Sequence, residues 1–236
     1  MIHENEYVEI VDYYDNLLTS GYYDFEYLAN ILYRLLGKRR KVLDIGIGTG
    51  LLTEKMLKMA DYNIVGVDFS AGMLEIAKKK LSDFSVRLIC QDVLEFETQE
   101  NFDAIISSGG VIYVVKEEGE YRIYSHITDR EKNEYLISKL YSYLGKNGLL
   151  ALAIQGQHKT YKKEIKDNIF YEQRIIKKDN YIDKYYIFSD VNGKVLKEQF
   201  CRFFYFDGLQ TSQILKKSGF SQKPQIFDDN FFVIYI

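Results

Sequence analysis

Three glycines at alternate positions, Gly46-Ile-Gly48-Thr-Gly50, follow the apolar run Lys41–Ile45 and stand just after Asp44. An apolar strand that ends in such a turn and leads into a helix is a nucleotide-binding arrangement. Glycine lets a ligand approach the backbone closely, and the start of the helix presents free N–H groups. Asp68 closes the next apolar run, 63–67, where a carboxylate can accept both hydroxyls of a ribose. The dinucleotide fingerprint G-x-G-x-x-G needs a third glycine where Leu51 stands, which counts against NAD. A further acid, Asp92, follows the apolar run 85–90.

Other residues able to do chemistry are scattered. Tyr14-Asp15 and the pair Tyr22-Tyr23 lie in the N-terminal stretch, where packing and ligand contact are both open. Tyr113 falls in what reads as a loop after 102–107. Of the three histidines, His3 reads as a disordered terminal residue and His126 as a surface residue before a helix. His158, just beyond the apolar run 149–154, reads as solvent-facing, with a base role as the alternative. Asp103 reads as structural, and Lys159, Lys162, Lys163 and Lys166 as a solvated basic face. Cys90 and Cys201 lack zinc-type spacing and read as buried free thiols. No His, Cys, Asp and Glu residues fall at metal-ligand spacing, so no metal is expected.

The elements that must position these residues follow from periodicity. Two short helices around Gly21 are predicted over 7–36. Strands at Lys41–Ile45, 63–67, 85–90 and Phe102–Ser107 alternate with helices at 51–60 and 70–81. Thr128-Asp-Arg-Glu131 has the capping-box pattern, predicting a helix to about residue 144, and Asn147-Gly148 turns into a fifth strand at 149–154. Alternation of this kind implies a parallel sheet covered on both faces. From about 170 to 206 the pattern becomes strands joined by short polar turns at Asn180 and Asn192-Gly193, a hairpin signal. A helix at 207–218 stops at Gly219, and Gln225–Phe227 with 231–236 reads as a closing hairpin.

The chain has 236 residues, 47% of them hydrophobic, enough for one core of ordinary size. Its 31 Lys and Arg against 34 Asp and Glu leave a net charge of −3, unlike a dedicated duplex-binding protein. No apolar run approaches the roughly 18 residues of a bilayer span. The acidic N-terminus lacks a signal-peptide core, so a cytoplasmic protein without membrane partners is expected.

At four strand ends the sequence resembles the class I S-adenosylmethionine-dependent methyltransferases. Val-Leu-Asp44-Ile-Gly46-Ile-Gly48-Thr-Gly50 is similar to that family's first motif, and Val-Gly-Val-Asp68-Phe-Ser-Ala-Gly-Met73-Leu to its second. Cys-Gln-Asp92-Val93 is similar to the third and Phe-Asp103-Ala-Ile-Ile-Ser107 to the fourth. The N-terminal Tyr14-Asp15 pair, the tyrosine-bearing turn and the late β insertion resemble the amino-sugar N-methyltransferases among them. The resemblance implies an α/β fold: a Rossmann-like, seven-stranded, mostly parallel sheet with helices on both faces and an antiparallel β insertion after the fifth strand. It implies a single domain over 1–236, with a helical lid at about 1–37 and the insertion at about 160–206.

It also implies roles. The backbone of Gly46, Gly48, Thr49 and Gly50 would line the methionine and ribose of the cofactor, and Asp44 would help hold the turn and the ammonium. Asp68 would take the ribose diol, Phe69 and Met73 would flank the adenine, and Asp92 with Val93 would meet its amino group. Ser107 would lie at the methionine end, Tyr14 and Tyr23 would close over the cofactor, and Tyr113 and His158 are the candidate catalytic side chains. The implied reaction is direct displacement at the methyl carbon of a sulfonium by a nitrogen or oxygen of a small molecule. A homodimer through the insertion is the expected partner. The alternatives are an RNA methyltransferase, against which the charge balance and the sequence Ser107-Ser-Gly-Gly110 speak, and a cofactor-binding module without catalysis.

Overall fold

A computed structural model describes residues 7–21, 23–221, 225–227 and 231–236. His3 and Tyr22 lie outside the described residues. The parallel core comprises β1 (Lys41–Ile45), β2 (Asn63–Asp68), β3 (Val86–Cys90), β4 (Phe102–Ser107) and β7 (Leu144–Gln155) in the order β3-β2-β1-β4-β7. β13 (Phe232–Tyr235) joins β7 antiparallel and pairs with β12 (Gln225–Phe227), which completes a seven-stranded sheet. Strict alternation along these strands sends successive side chains to opposite faces. Leu43, Ile105, Leu150 and Leu152 pack with helices α5 (Arg130–Ser142) and α6 (Gly208–Ser218) on one face. Val42, Ala104, Ile106, Ala151 and Ala153 pack with α2 (Phe25–Leu36) and α3 (Leu51–Leu57) on the other.

Helix starts follow local chemistry. Asp24 caps α2 by accepting from the Tyr27 N–H, and Ser70 caps α4 (Ala71–Lys80) by accepting from Met73. Asp129, rather than the expected Thr128, caps α5 by accepting from Lys132. α5 ends at Ser142 because β7 already begins at Leu144.

The antiparallel part is larger than the sequence pattern predicts. It begins before α5, with a hairpin of β5 (Ile112–Glu117) and β6 (Glu120–Ser125) in the stretch expected to be a loop. Its two-residue turn places Glu118 and Gly119 at φ 54° and 83°, the left-handed pair that a type I′ hairpin requires. β6 then pairs with β11 (Val195–Tyr205), followed by β10 (Tyr181–Ser189), β9 (Phe170–Lys177) and β8 (Tyr161–Glu164). β5 runs parallel to the end of β7 through Val114–Ile154 and Val115–Gln155, so both sheets share that strand.

Helix α1 (Val11–Thr19) lies on this second sheet, where Leu17 is buried with Tyr113, Val115, Tyr124, Phe188 and Phe203. Tyr13 stacks on Phe188 at 5.1 Å between ring centroids. α2 belongs to the core of the parallel sheet, whereas α1 and the short turn Tyr7–Ile10 before it lie over the second sheet.

Candidate functional site

The C-terminal ends of β1 to β4 converge on one cleft, the place where open α/β sheets bind ligands. Gly46 follows β1 with φ 72°, and a Cβ there would lie 2.7 Å from the Cα of Gly110. A Cβ on Gly110 would lie 2.5 Å from the Ile45 carbonyl oxygen. The two glycines thus let the segment after β4 pass directly over the turn after β1. The cavity they border has a volume of about 700 Å³, within the range of cofactor pockets.

Asp44 at the end of β1 is buried and accepts a hydrogen bond from the Thr53 hydroxyl at 2.8 Å. Burial, with the nearby Asp68 charge adding to it, pushes its carboxyl up to about 7. Asp68 accepts from the Gly48 N–H at 2.9 Å through Oδ2 and from the Ser70 N–H at 2.9 Å through Oδ1. Burial raises its pKa against those two hydrogen bonds. The carboxylate therefore organises the glycine turn while it lines the cavity; an ionised oxygen has a second lone-pair site for a ligand hydroxyl. Asp92 accepts from the Leu94 N–H at 2.9 Å and faces the same cavity, as do Val93, Phe69 and Met73.

The Thr49 hydroxyl donates to Asp15 Oδ1 at 2.6 Å, and Lys80 Nζ lies 2.7 Å from Asp15 Oδ2. Asp15 thereby links α1 to the glycine turn and to α4, and Tyr14, its neighbour, lines the cavity.

Three expected cofactor contacts fall elsewhere. Ser107 is fully buried and donates to the Ile45 carbonyl at 3.3 Å, tying β4 to β1, while Ser108, Gly109 and Gly110 line the cavity. Gly50 turns left-handed at φ 75° toward α4, where a Cβ would lie 3.0 Å from Leu81 Cδ1. Tyr23 borders a smaller adjacent chamber instead of the main cavity. Sequence reasoning passed over Gln91, Thr128, Lys132 and Tyr135, which also line the cleft. Gln91 sits inside the third motif, and the other three follow from the start of α5 lying beside the fourth strand's exit.

The second chamber, about 50 Å³, lies between the cleft and the antiparallel sheet. Tyr14, Leu18, Phe25, Ser108, Gly109 and His126 border both spaces. Its far side brings together Tyr113, His158, Lys184, Tyr186 and Phe203. Tyr113 stands on β5, not on a loop, and is 1% exposed. Its hydroxyl lies 2.9 Å from His158 Nε2. His158 is buried at 5% exposure, not solvent-facing, because β9 to β11 cover the loop after β7. His126 is partly buried, with its ring 4.5 Å from that of Phe203. Burial holds both imidazoles well below the usual range, and the Lys184 charge pushes in the same direction. Cys201 is buried as expected, but Cys90 is exposed, because β3 is the edge strand of the parallel sheet.

Residues 42–134 match the family model described as a methyltransferase domain. The chain is similar to a malonyl-[acyl-carrier protein] O-methyltransferase of Priestia megaterium, 44% identical over 68 residues, which are 28% of this chain and 25% of the relative. It is also similar to a carboxy-S-adenosyl-L-methionine synthase of Helicobacter pylori, 26% identical over 186 residues, 78% of this chain and 64% of the relative. Among solved structures, an S-adenosylmethionine-bound amino pentose methyltransferase from Micromonospora echinaspora matches with a TM-score of 0.70 over 94% of this chain and 95% of that one, at 13% identity. The chain spans between a quarter and two thirds of the length of these two curated relatives.

Proposed function

We propose that the protein transfers a methyl group from S-adenosylmethionine to a nitrogen or oxygen of a small-molecule acceptor, a reading supported by the match of residues 42–134 to a methyltransferase-domain model. The observation that carries this reading is a pair of adjacent spaces that share Tyr14, Gly109 and His126 in their walls: a nucleoside-sized cleft at the parallel strand ends and a small chamber floored by the antiparallel sheet. The first suits the cofactor, and the second, at about 50 Å³, would seat one end of a small acceptor.

The donor set of the cleft fits the cofactor. Asp68 would take the ribose diol, Asp92 and the backbone beside Val93 the adenine, and Phe69 with Met73 its faces. The Gly46 to Thr49 turn and Asp44 would meet the methionine portion. Bound S-adenosylmethionine supplies a methyl carbon already activated by its sulfonium, so an acceptor needs alignment more than it needs activation.

Alignment falls to Tyr14, Gly109 and His126, which border both spaces. The His158 ring, held neutral by burial, would accept a hydrogen bond at Nε2 from the Tyr113 hydroxyl, 2.9 Å away, and so hold that hydroxyl in place beside the acceptor. α1, fastened through Asp15, shields the cleft from water. β8 leaves one edge without a strand partner among the described residues, where a second copy of the chain would pair.

The test is methyl transfer from labelled S-adenosylmethionine into deproteinised metabolite extracts and, separately, into RNA. Label in a small molecule supports the reading. Label in RNA alone, or cofactor bound without turnover, overturns it.

A further inference from the structure

Asn133, Leu136, Ile137 and Leu140 form the buried stripe of α5, at helical spacing and each 0% exposed. The three apolar members pack into the core of the parallel sheet. Asn133 breaks the pattern. An amide at a core position is unfavourable unless it is hydrogen-bonded, and asparagine is a poor residue for a helix interior. Its Nδ2 group reaches back over the helix start and donates to the Ile127 carbonyl at 2.7 Å and to the Asp129 carbonyl at 2.8 Å. The side chain is therefore a clamp on the connection between β6 and α5.

That connection, 126–129, is a wall of the cleft. All four of its residues line the main cavity, and His126 borders the small chamber as well. Its first half is held from the other side. The His126 N–H donates to the Val111 carbonyl at 2.9 Å. Ser125 Oγ accepts from the Ile127 N–H at 3.0 Å and donates to the same Val111 carbonyl at 3.4 Å. Val111 follows Gly110, which crosses over Gly46. A chain of contacts thus runs from the glycine turn through Val111 and Ser125 to Ile127 and ends on Asn133. Ser125 and Asn133 are fully buried behind the wall and belong to the lining of neither space.

Resting on the reading that the acceptor is aligned at Gly109 and His126, we propose that Asn133 is a positioning residue for methyl transfer: it fixes the 126–129 wall against which the acceptor is set. Displacement at a methyl carbon needs nucleophile, carbon and sulfur in line, and a misplacement of about 1 Å can slow such a step on the order of a hundredfold. The helix start does not depend on this amide. The Asp129 carbonyl also accepts from the Asn133 backbone N–H at 3.2 Å, and the Asp129 side chain caps α5. The bond to Ile127 is the one that reaches outside the helix to the wall.

Asn133→Leu removes both donated bonds while continuing the apolar stripe, so it separates positioning from folding. Methyl transfer from labelled S-adenosylmethionine into deproteinised metabolite extract is counted per S-adenosylhomocysteine-binding site, so that only folded protein enters the rate. This rate is expected to fall by about tenfold or more, while S-adenosylhomocysteine affinity stays that of wild type. Hydrogen exchange should quicken at the His126 and Ile127 amides and hold in the later turns of α5. Ser125→Ala, which releases Ile127 from the opposite side, is expected to do the same and serves where Asn133→Leu does not fold. Because both act on one wall, the double variant should be no slower than the slower single variant. A rate per site equal to that of wild type, an equal loss of S-adenosylhomocysteine affinity, unchanged exchange at His126 and Ile127, or losses that multiply in the double variant overturns the proposal. Wild type that binds S-adenosylhomocysteine and labels no small molecule is a different failure, that of the acceptor reading beneath; the exchange measurement then still decides whether Asn133 holds the wall.

Discussion

Thr49 in the glycine-rich turn donates its hydroxyl to Asp15 in α1 at 2.6 Å, across 34 positions of sequence. One carboxylate oxygen thus holds the N-terminal helix against the glycine-rich turn, and the other meets Lys80 on α4. Asp15→Ala will free α1 from the turn. The loss is about 1 kcal/mol of stability, as for one side-chain hydrogen bond with a partly exposed ion pair. Hydrogen exchange will show faster exchange of α1 in the variant and slower exchange in wild type on addition of S-adenosylhomocysteine. Equal exchange in all three states would mean that α1 is fixed by its packing on the antiparallel sheet alone.

Asp68→Ala will weaken cofactor binding by about 1.5–3 kcal/mol, the value of hydrogen bonds to a charged acceptor. The loss has two sources, since the carboxylate also accepts from the Gly48 and Ser70 N–H groups. Asp68→Asn keeps an acceptor for one of these and should fall between. Calorimetry on folded variants measures both, and an unchanged dissociation constant for Asp68→Ala contradicts the assignment.

Asp44 makes stability depend on pH. Its carboxyl titrates at about 7 in the folded chain against 3.8 for the free group. Between those values the folded state holds more protons than the unfolded state, so stability falls as pH rises through the window and levels off above it. The contribution is at most about 4 kcal/mol. In Asp44→Asn, which leaves the Thr53 hydroxyl an oxygen to donate to, this slope will be missing from urea midpoints compared across the window. The cofactor's ammonium, by favouring the carboxylate, will release a proton on binding near neutral pH. A wild-type slope equal to that of the variant would contradict the assignment.

Tyr113→Phe and His158→Gln will each lower kcat by about tenfold, the scale of one lost positioning hydrogen bond, without changing S-adenosylhomocysteine affinity. If the pair at 2.9 Å only fills space, thermal stability will fall and kcat will hold.

The parallel core was legible because its strands are apolar runs ended by Gly46, Asp68 and Asp92, and the antiparallel insertion because Asn192-Gly193 separates two β-rich stretches. The β5–β6 hairpin was not, since its turn, Glu117-Glu-Gly119-Glu, reads as a charged loop although Gly119 carries the left-handed conformation that closes it. The chamber's composition was also hidden. Tyr113, His158 and Lys184 lie on strands or loops distant in sequence, and the pairings of β5 with β7 and of β6 with β11 bring them together. Cys90 shows the converse: its apolar run predicts burial, but an edge strand leaves it exposed.

That same pairing makes the insertion part of the fold. Tyr171, Ile182, Phe188 and Phe203 bury Tyr113, Val115 and Tyr124, and each large apolar side chain so covered contributes about 1.5–3 kcal/mol. Replacing 160–206 by a short Gly/Ser turn will abolish cooperative unfolding, followed by circular dichroism. A cooperative transition in the shortened chain would show that the parallel sheet stands without it.

Calorimetric titration of the intact chain with S-adenosylhomocysteine and, separately, with NAD bears most directly on the cofactor cleft. One S-adenosylhomocysteine is expected to bind per chain while NAD gives no heat, as Leu51 in place of a third glycine predicts. Binding of NAD in preference, or of neither ligand, would contradict the methyltransferase reading at its root.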